Sequence, residues 1–284
     1  MQFLRKRYEQ VPLSIPAFDN RNVEEIIPNI NKINIKFATY YLKNPRAEFG
    51  DLFEEYESYR ILRFAGLNMP KVKLLGKNLI IQEARGEEAF KADIENVKFG
   101  LDLLIKDIGN IWKNYEFTVP KSQRRDSTLK MLSKLESHFD KDFLATIRSR
   151  LIAKPILPAT LVHGDEHLGN LFLEKDSYQL IDPRDLVFGQ PTDIFNTLIA
   201  SYYIFQQQKH PEAEKIVWYI FDGLKAKFEE VFGMKLSQTE LPETMLVNFM
   251  RAKAGFVNAK NKDLVSIKNC EKMINKILYE NIFD

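Results

Sequence analysis

Hydrophobic and polar residues alternate in short runs along the first third of the chain, and apolar positions recur at helical spacing through most of the remainder. A leading strand is expected at Phe3–Tyr8. Between Val23 and Lys43 the segments INIKF and ATYYLK are rich in β-branched and aromatic residues and are bounded by PNIN and NPR, which predicts two or three antiparallel strands. The run Asp51–Phe64 instead spaces Leu52, Tyr56, Tyr59, Ile61, Leu62 and Phe64 as a helix would, with Gly66 placed as its C-terminal cap. MPKVKLLG and KNLIIQEA then read as a hairpin turning at Gly76-Lys77-Asn78. The strand-rich portion ends near Ala84.

From about Glu87 the period becomes helical, and Glu87 and Glu88 are expected to open a helix, where acidic residues suit the dipole. Ile94–Trp112 sets Val97, Leu101, Leu104, Ile105, Ile108 and Trp112 on one side, and Ser127–Leu151 repeats the pattern after a break at Pro120. Beyond Pro155 and Pro158, NLFLEKDSYQLIDP alternates as a hairpin with Glu174–Ser177 at its turn. The stretch Asp193–Asp284 is helical again, interrupted near Gly233 and Pro242, and its aromatic run Ser201–Phe205 reads as a buried helix face. The expected fold class is α+β in two parts. Residues 1–84 form a small antiparallel β portion with one helix, and residues 85–284 form a larger, mainly helical portion.

With 284 residues, 45% hydrophobic and 28% charged, the chain has enough apolar material for a substantial core, which excludes a disordered or fibrous protein. Its 41 Lys and Arg against 39 Asp and Glu leave +2, without a like-charge block long enough to bind nucleic acid. No nucleic-acid partner is expected. One cysteine, Cys270, excludes an intrachain disulfide and any site built from several thiolates, so a reducing, cytoplasmic location is expected. The N-terminal segment lacks the apolar core of a secretory signal, and no stretch approaches the roughly 18 uncharged apolar residues of a membrane span. No membrane partner is expected either.

Chemistry concentrates in Leu161–Asn196, where an apolar LV pair leads into His163-Gly164-Asp165, Asn170 follows five residues later, and Asp182 ends the next apolar strand. Nucleotide-dependent phosphoryl transfer needs a carboxylate near the acceptor hydroxyl, and it needs an oxygen ligand and a second carboxylate to hold Mg2+ against the phosphates. Asp165, Asn170 and Asp182 are of the right types for those tasks. A hairpin after Asn170 would return Asp182 beside it.

The ordered set HGDxxxxN, IDP and a later GxPxxD resembles the aminoglycoside phosphotransferase and choline kinase-like family, over roughly residues 23–200. The resemblance implies a two-lobed protein-kinase-like fold, with residues 1–84 as the nucleotide-binding lobe and residues 85–284 carrying the catalytic loop and acceptor site. It implies a phosphotransferase that moves the γ-phosphate of ATP or GTP to a small-molecule hydroxyl, with Mg2+ as cofactor. Asp165 becomes the catalytic base, and Asn170 and Asp182 become metal ligands. Lys43 matches the strand lysine that contacts nucleotide phosphates, Glu57 matches its ion-pair partner, and Gln82, Glu83 and Ala84 fall where a linker presents backbone to adenine. Asp193 resembles an aspartate that supports the catalytic loop.

The pattern departs from the family in two places. No glycine lies between Ile27 and Lys43, so PNIN stands where a glycine-containing phosphate loop is expected, and Asp182-Pro183-Arg184 replaces the Asp-Phe-Gly of protein kinases. Lys36 is a second candidate for the nucleotide lysine. Two other readings stay open. His163, Asp165 and His167 have the residue types of a Zn2+ or Fe2+ hydrolase site. A non-catalytic kinase-like binding scaffold would also explain the absent glycines.

Overall fold

The β-branched segments of the first third do pair as strands. The computed structural model describes residues 23–27, 30–35, 38–45, 52–114, 123–183, 187–195, 213–258, 264–280 and 282–284. Among these, β1 (Val23–Ile27), β2 (Ile30–Ile35) and β3 (Ala38–Lys43) lie beside β4 (Val72–Leu75) and β5 (Asn78–Gln82) in one antiparallel sheet of order β1-β2-β3-β5-β4. The register of β2 on β3 is unbroken from Ile30↔Lys43 to Ile35↔Ala38, and β5 pairs with β3 so that Lys43 opposes Leu79. Leu75 pairs with Asn78, so the hairpin turn is the two residues Gly76-Lys77, with Gly76 at φ +62°. A positive φ there is what a tight hairpin requires of its first turn residue. The expected strand at Phe3–Tyr8 lies outside the described residues, as do Lys36, Arg184 and the run Ser201–Phe205.

Helix α1 (Phe53–Ala65) ends where Gly66, at φ +120°, donates its N–H to the carbonyls of Leu62 and Arg63. Its buried residues are Ser58, Tyr59 and Leu62, while Phe53 and Phe64 remain exposed. Phe64 was expected inside. Two residues beyond Leu62 carry it roughly 200° around the helix, away from the buried face.

Glu87 and Glu88 do not open a helix. They form a short strand, β6 (Glu87–Glu88), paired with β8 (Leu171–Glu174) as Glu87↔Leu173 and Glu88↔Phe172, and β8 pairs in turn with β9 (Ser177–Leu180). Gly86 fixes this outcome. It sits at φ +92°, and a Cβ on it would stand 2.1 Å from the Leu173 carbonyl oxygen. The helix starts later, as α2 (Ile94–Asn114), where Asp93 accepts from Glu95 N at 2.8 Å. Its predicted stripe is buried at Val97, Leu101, Leu104, Ile105 and Ile108.

The expected helical stretch Ser127–Leu151 is two helices, α3 (Gln123–Lys134) and α4 (Lys141–Ala153), because Asp140 caps the second by accepting from Phe143 N at 2.9 Å. After the short strands β7 (Thr160–Val162) and β10 (Val187–Gly189), the chain continues as α5 (Ala213–Phe232), α6 (Leu241–Asn258) and α7 (Leu264–Tyr279). Gly233 ends α5 at φ +65°, and Pro242 is tolerated because it sits in the first turn of α6.

By contacts the chain divides into two compact units, residues 1–107 with 161–187 and residues 108–160 with 188–284. The first holds the five-stranded sheet, α1 and the β8–β9 hairpin. The second is mostly helical, around an aromatic cluster in which Phe195, Phe221, Phe228 and Trp218 meet edge to face at 5.3–5.7 Å. Glu240 is fully buried there, 2.5 Å from the Arg125 guanidinium. No helix among the described residues is long and apolar enough to cross a membrane.

The chain's approach at Gly86 makes that position sensitive to a single methyl. Gly86→Ala is expected to cost about 1–3 kcal/mol, the usual range for a strained backbone position, with the urea midpoint as the readout. An unchanged midpoint would show that β6 yields without cost.

Candidate functional site

The segment from β7 to Asp182 is built around a buried loop. His163 is 1% exposed, and the neighbouring Glu166, also buried, folds back so that its Oε1 accepts from the backbone N–H of His163 at 3.0 Å and of Gly164 at 3.2 Å. The loop around Asp165 is thereby held by hydrogen bonds to its own backbone. Asp165 N donates to His163 Nδ1 at 3.4 Å, and the Asp165 carbonyl accepts from His167 N at 2.9 Å and from Asn170 Nδ2 at 3.0 Å. A single 3-10 turn, Leu168–Asn170, then leads into β8.

The hairpin register returns the chain to the start of this turn. Leu171 pairs with Leu180, and Ile181 N donates to the Asn170 carbonyl at 3.0 Å, so Asp182 follows directly beside Asn170's backbone. Asp182 sits at φ +56°, the one non-glycine residue with positive φ among the described residues. For an L-residue that region costs roughly 1–2 kcal/mol, which neighbouring contacts must offset.

Two contacts do so. Asp182 N donates to the hydroxyl oxygen of Tyr59 at 2.7 Å, and the Lys43 ammonium donates to Asp182 Oδ1 at 2.6 Å. Lys43 also meets both carboxylate oxygens of Glu55 at 2.9 Å. Burial pulls the Lys43 ammonium toward neutrality, but Glu55 and Asp182 outweigh it and keep its pKa above the ordinary value. Tyr59 is 1% exposed, and burial together with the Glu55 charge holds its phenol well above its usual range, so the oxygen that accepts from Asp182 is neutral.

The partner of Lys43 differs from the expectation. Glu57 bonds Arg60 on its own helix at 3.4 Å, and Glu55 meets Lys43. The helical period explains the exchange. Glu55 precedes the buried Tyr59 by four residues and shares its face, whereas Glu57 lies two residues from each and is turned away. That signal was available in the sequence. Glu166 was also missed, and only its burial marks it, since an acidic residue in HGDEH reads equally well as solvated.

Gln82 pairs with Tyr40 on β3, three residues from Lys43 and so about 10 Å along the strand. It lines a polar pocket of about 310 Å³ with Arg63, Asn68, Lys71, Glu83, Arg85 and the β8–β9 turn, and neither Lys43 nor Asp182 is on that wall. Glu83 N donates to the Thr39 carbonyl, its carboxylate accepts from the Tyr41 hydroxyl at 3.1 Å, and Ala84 follows, half-buried. In the other unit, Asp193 Oδ2 accepts from Gln190 N at 2.7 Å.

The donor set bears on which metal would suit it. Lys43 occupies only Oδ1 of Asp182, whose side chain is half exposed, and Asn170 uses its amide nitrogen on Asp165, which leaves the amide oxygen. One carboxylate and one amide oxygen fit Mg2+, which keeps several waters and takes few protein ligands. The His163/Asp165/His167 alternative fits less well. Both Nδ1 atoms already accept backbone N–H groups, and the described residues contain no group of three His, Cys, Asp or Glu suited to a metal ion.

Burial lowers the His163 pKa to about 4 against opposing contributions from the Ile181 backbone and the Asp165 and Asp182 charges. The unfolded chain therefore binds the extra proton first as pH falls. Stability from this group is complete above about pH 6.5 and is lost progressively toward pH 4, by about 3 kcal/mol in all. His163→Leu is expected to flatten the acid limb of stability against pH, read as urea midpoints at pH 7 and pH 4.5. Parallel limbs for both proteins would refute it.

By sequence, no family model and no curated protein matches the chain. Solved structures do match its fold. A choline/ethanolamine kinase family protein from Mesorhizobium loti superposes with a TM-score of 0.61 at 10% identity, covering 99% of this chain and 96% of that one. Amicoumacin kinase, solved in complex with AMP-PNP, Ca2+ and Ami, gives 0.59 at 14% identity over 100% of this chain and 95% of that one. An aminoglycoside phosphotransferase gives 0.54 at 14% over 98% of each. The resemblance read from HGDxxxxN and IDP thus extends to the whole chain: it has the α+β fold shared by the aminoglycoside phosphotransferase and choline kinase-like proteins.

Proposed function

We propose that this chain is a small-molecule kinase that moves the γ-phosphoryl group of ATP or GTP to a hydroxyl of a small acceptor, such as an aminoglycoside, an amino alcohol or a sugar. The observation that carries the reading is Lys43, held between Glu55 and Asp182. A lysine fixed by a helix glutamate and placed on a carboxylate suited to a cation is the arrangement that a triphosphate with its metal requires. The fold likeness to small-molecule kinases supports it, and amicoumacin kinase was solved with a nucleotide analogue and a divalent cation. In this reading residues 1–84 are the nucleotide lobe, residues 85–284 carry the catalytic loop and acceptor site, and the enzyme works in the cytoplasm.

Each residue then has a task. Lys43 shifts from Asp182 toward the phosphates while Glu55 keeps its charge in place. Asn170 and Asp182 hold Mg2+, which when bound neutralises charge on the phosphates. Asp165 orients the acceptor hydroxyl and takes its proton as the hydroxyl oxygen bonds to phosphorus and the β–γ bridging bond breaks, releasing the nucleoside diphosphate. Transfer is direct, and positioning with charge neutralisation supplies most of the acceleration. Gln82, Glu83 and Ala84 offer linker backbone to the base, and Glu57, bonded to Arg60 on its own helix, takes no part.

MgATP or MgGTP is expected to raise the melting temperature, and Zn2+ alone is not. Asp165→Asn should lower turnover at least about a hundredfold while leaving that shift intact, measured as nucleoside diphosphate release across a panel of hydroxyl acceptors. Full turnover in the variant removes Asp165 as the base. Nucleotide stabilisation with no turnover on any acceptor would favour the binding-scaffold reading.

A second test concerns the lysine. Lys43→Ala and Glu55→Ala should each lower kcat/KM for nucleotide, with strongly non-additive losses because the two act as one unit, while Glu57→Ala and Lys36→Ala should do little. Additive losses, or a larger loss from Lys36→Ala, would move the phosphate contact to another strand.

A further inference from the structure

The contacts around Asp182 form a closed ring. Glu55 and Tyr59 stand one turn apart on α1, Glu55 reaches Asp182 Oδ1 through Lys43, and the Tyr59 hydroxyl oxygen accepts the Asp182 backbone N–H directly. One helix therefore holds the residue at its side chain and at its backbone. These holds behave differently during the proposed reaction. Lys43 is a flexible chain with a rival ligand, the phosphates, whereas Tyr59 is a rigid ring, buried and fixed on the helix. Once Lys43 turns to nucleotide, the bond to Tyr59 is what remains on Asp182, whose positive φ needs support.

We infer that Tyr59 is a positioning residue for the metal ligand, its hydroxyl oxygen keeping the Asp182 backbone in its metal-holding conformation after Lys43 has left. The inference rests on the kinase reading, and it adds a residue that neither the sequence pattern nor the likeness of fold assigns. It makes metal retention depend on where α1 is docked, since a shift of that helix moves Glu55 and Tyr59 together. Without the hydroxyl, the Asp182 N–H loses its acceptor and the backbone has no direct tie to α1.

Tyr59→Phe keeps the ring and removes only the oxygen. The matched control is Tyr178→Phe, which deletes another buried tyrosine hydroxyl, bonded to Asp107 at 2.6 Å, in the same unit. Both variants should lose some thermal stability. Only Tyr59→Phe should weaken Mn2+ binding, about 3- to 10-fold in the presence of a non-hydrolysable nucleotide analogue, while affinity for the analogue without metal stays unchanged. The Asp182 amide should also exchange its hydrogen faster in Tyr59→Phe than in wild type or Tyr178→Phe, with no ligand present.

Wild-type Mn2+ affinity in Tyr59→Phe, or an equal loss in Tyr178→Phe, overturns the positioning role. Failure of the wild-type protein to bind Mn2+ with the analogue, beside a protected Asp182 amide, overturns the kinase reading instead and the inference with it. Should Tyr59→Phe not fold, exchange in the wild type decides. The Asp182 amide must stay protected when analogue and Mn2+ are loaded, and loss of protection on loading refutes the role.

Discussion

Asp182 is the residue on which the candidate site depends, because among the described residues it alone combines a positive φ with a charged, half-exposed side chain tied to Lys43 on β3 and a backbone N–H tied to Tyr59 on α1. A non-glycine residue at φ +56° persists only if its surroundings over-determine it. The Tyr59 hydroxyl, the Lys43 ammonium and the β8–β9 hairpin all act on this point. Their joint effect is to set a carboxylate at the end of a strand with one oxygen committed to a lysine and the other available.

The same economy governs the loop at Asp165. Glu166 satisfies two backbone N–H groups, His163 a third, and the Asp165 carbonyl takes two more donors. Buried loop backbone must find such partners or the loop could not leave the surface. A buried, neutral His163 serves this end, since its ring nitrogen accepts without bringing a charge inside. The Asp165 backbone is fixed in place by these bonds before any ligand arrives, which lowers the entropy that a ligand contact there would cost.

The helical unit solves a different problem. Its core is aromatic and aliphatic, yet it encloses Glu240 against Arg125, whose guanidinium also donates to the Lys154 carbonyl, and the Lys154 ammonium in turn donates to the Ser237 carbonyl. Removing one member of such a buried pair typically costs 3–5 kcal/mol because the other is left uncompensated. These links join the starts of α3 and α6 to the end of α4, holding elements far apart in sequence.

Much of this was written in local sequence. Alternation gave the strands between Val23 and Lys43 and both hairpins, the 3.6-residue period gave α1 and the buried stripe of α2, and HGDxxxxN with IDP marked the loop and hairpin that bring Asp165, Asn170 and Asp182 near one another. Such features are legible because a residue's neighbours three, four or two positions away decide them. The choice of Glu55 over Glu57 belonged to that class too, since helical phase alone puts Glu55 on the face of Tyr59. Other features were decided only by tertiary structure. Glu87 and Glu88 have the look of a helix start, yet the close approach of Gly86 to Leu173 draws them into a strand, and that contact spans 87 residues of chain. Tyr59 reads in sequence as one more apolar helix position. Its hydroxyl acquires a purpose only because Asp182, 123 residues later, arrives with an unpaired N–H. Short-range spacing fixes which face a side chain occupies, whereas its partner across the fold is set by long-range packing, which no local pattern encodes.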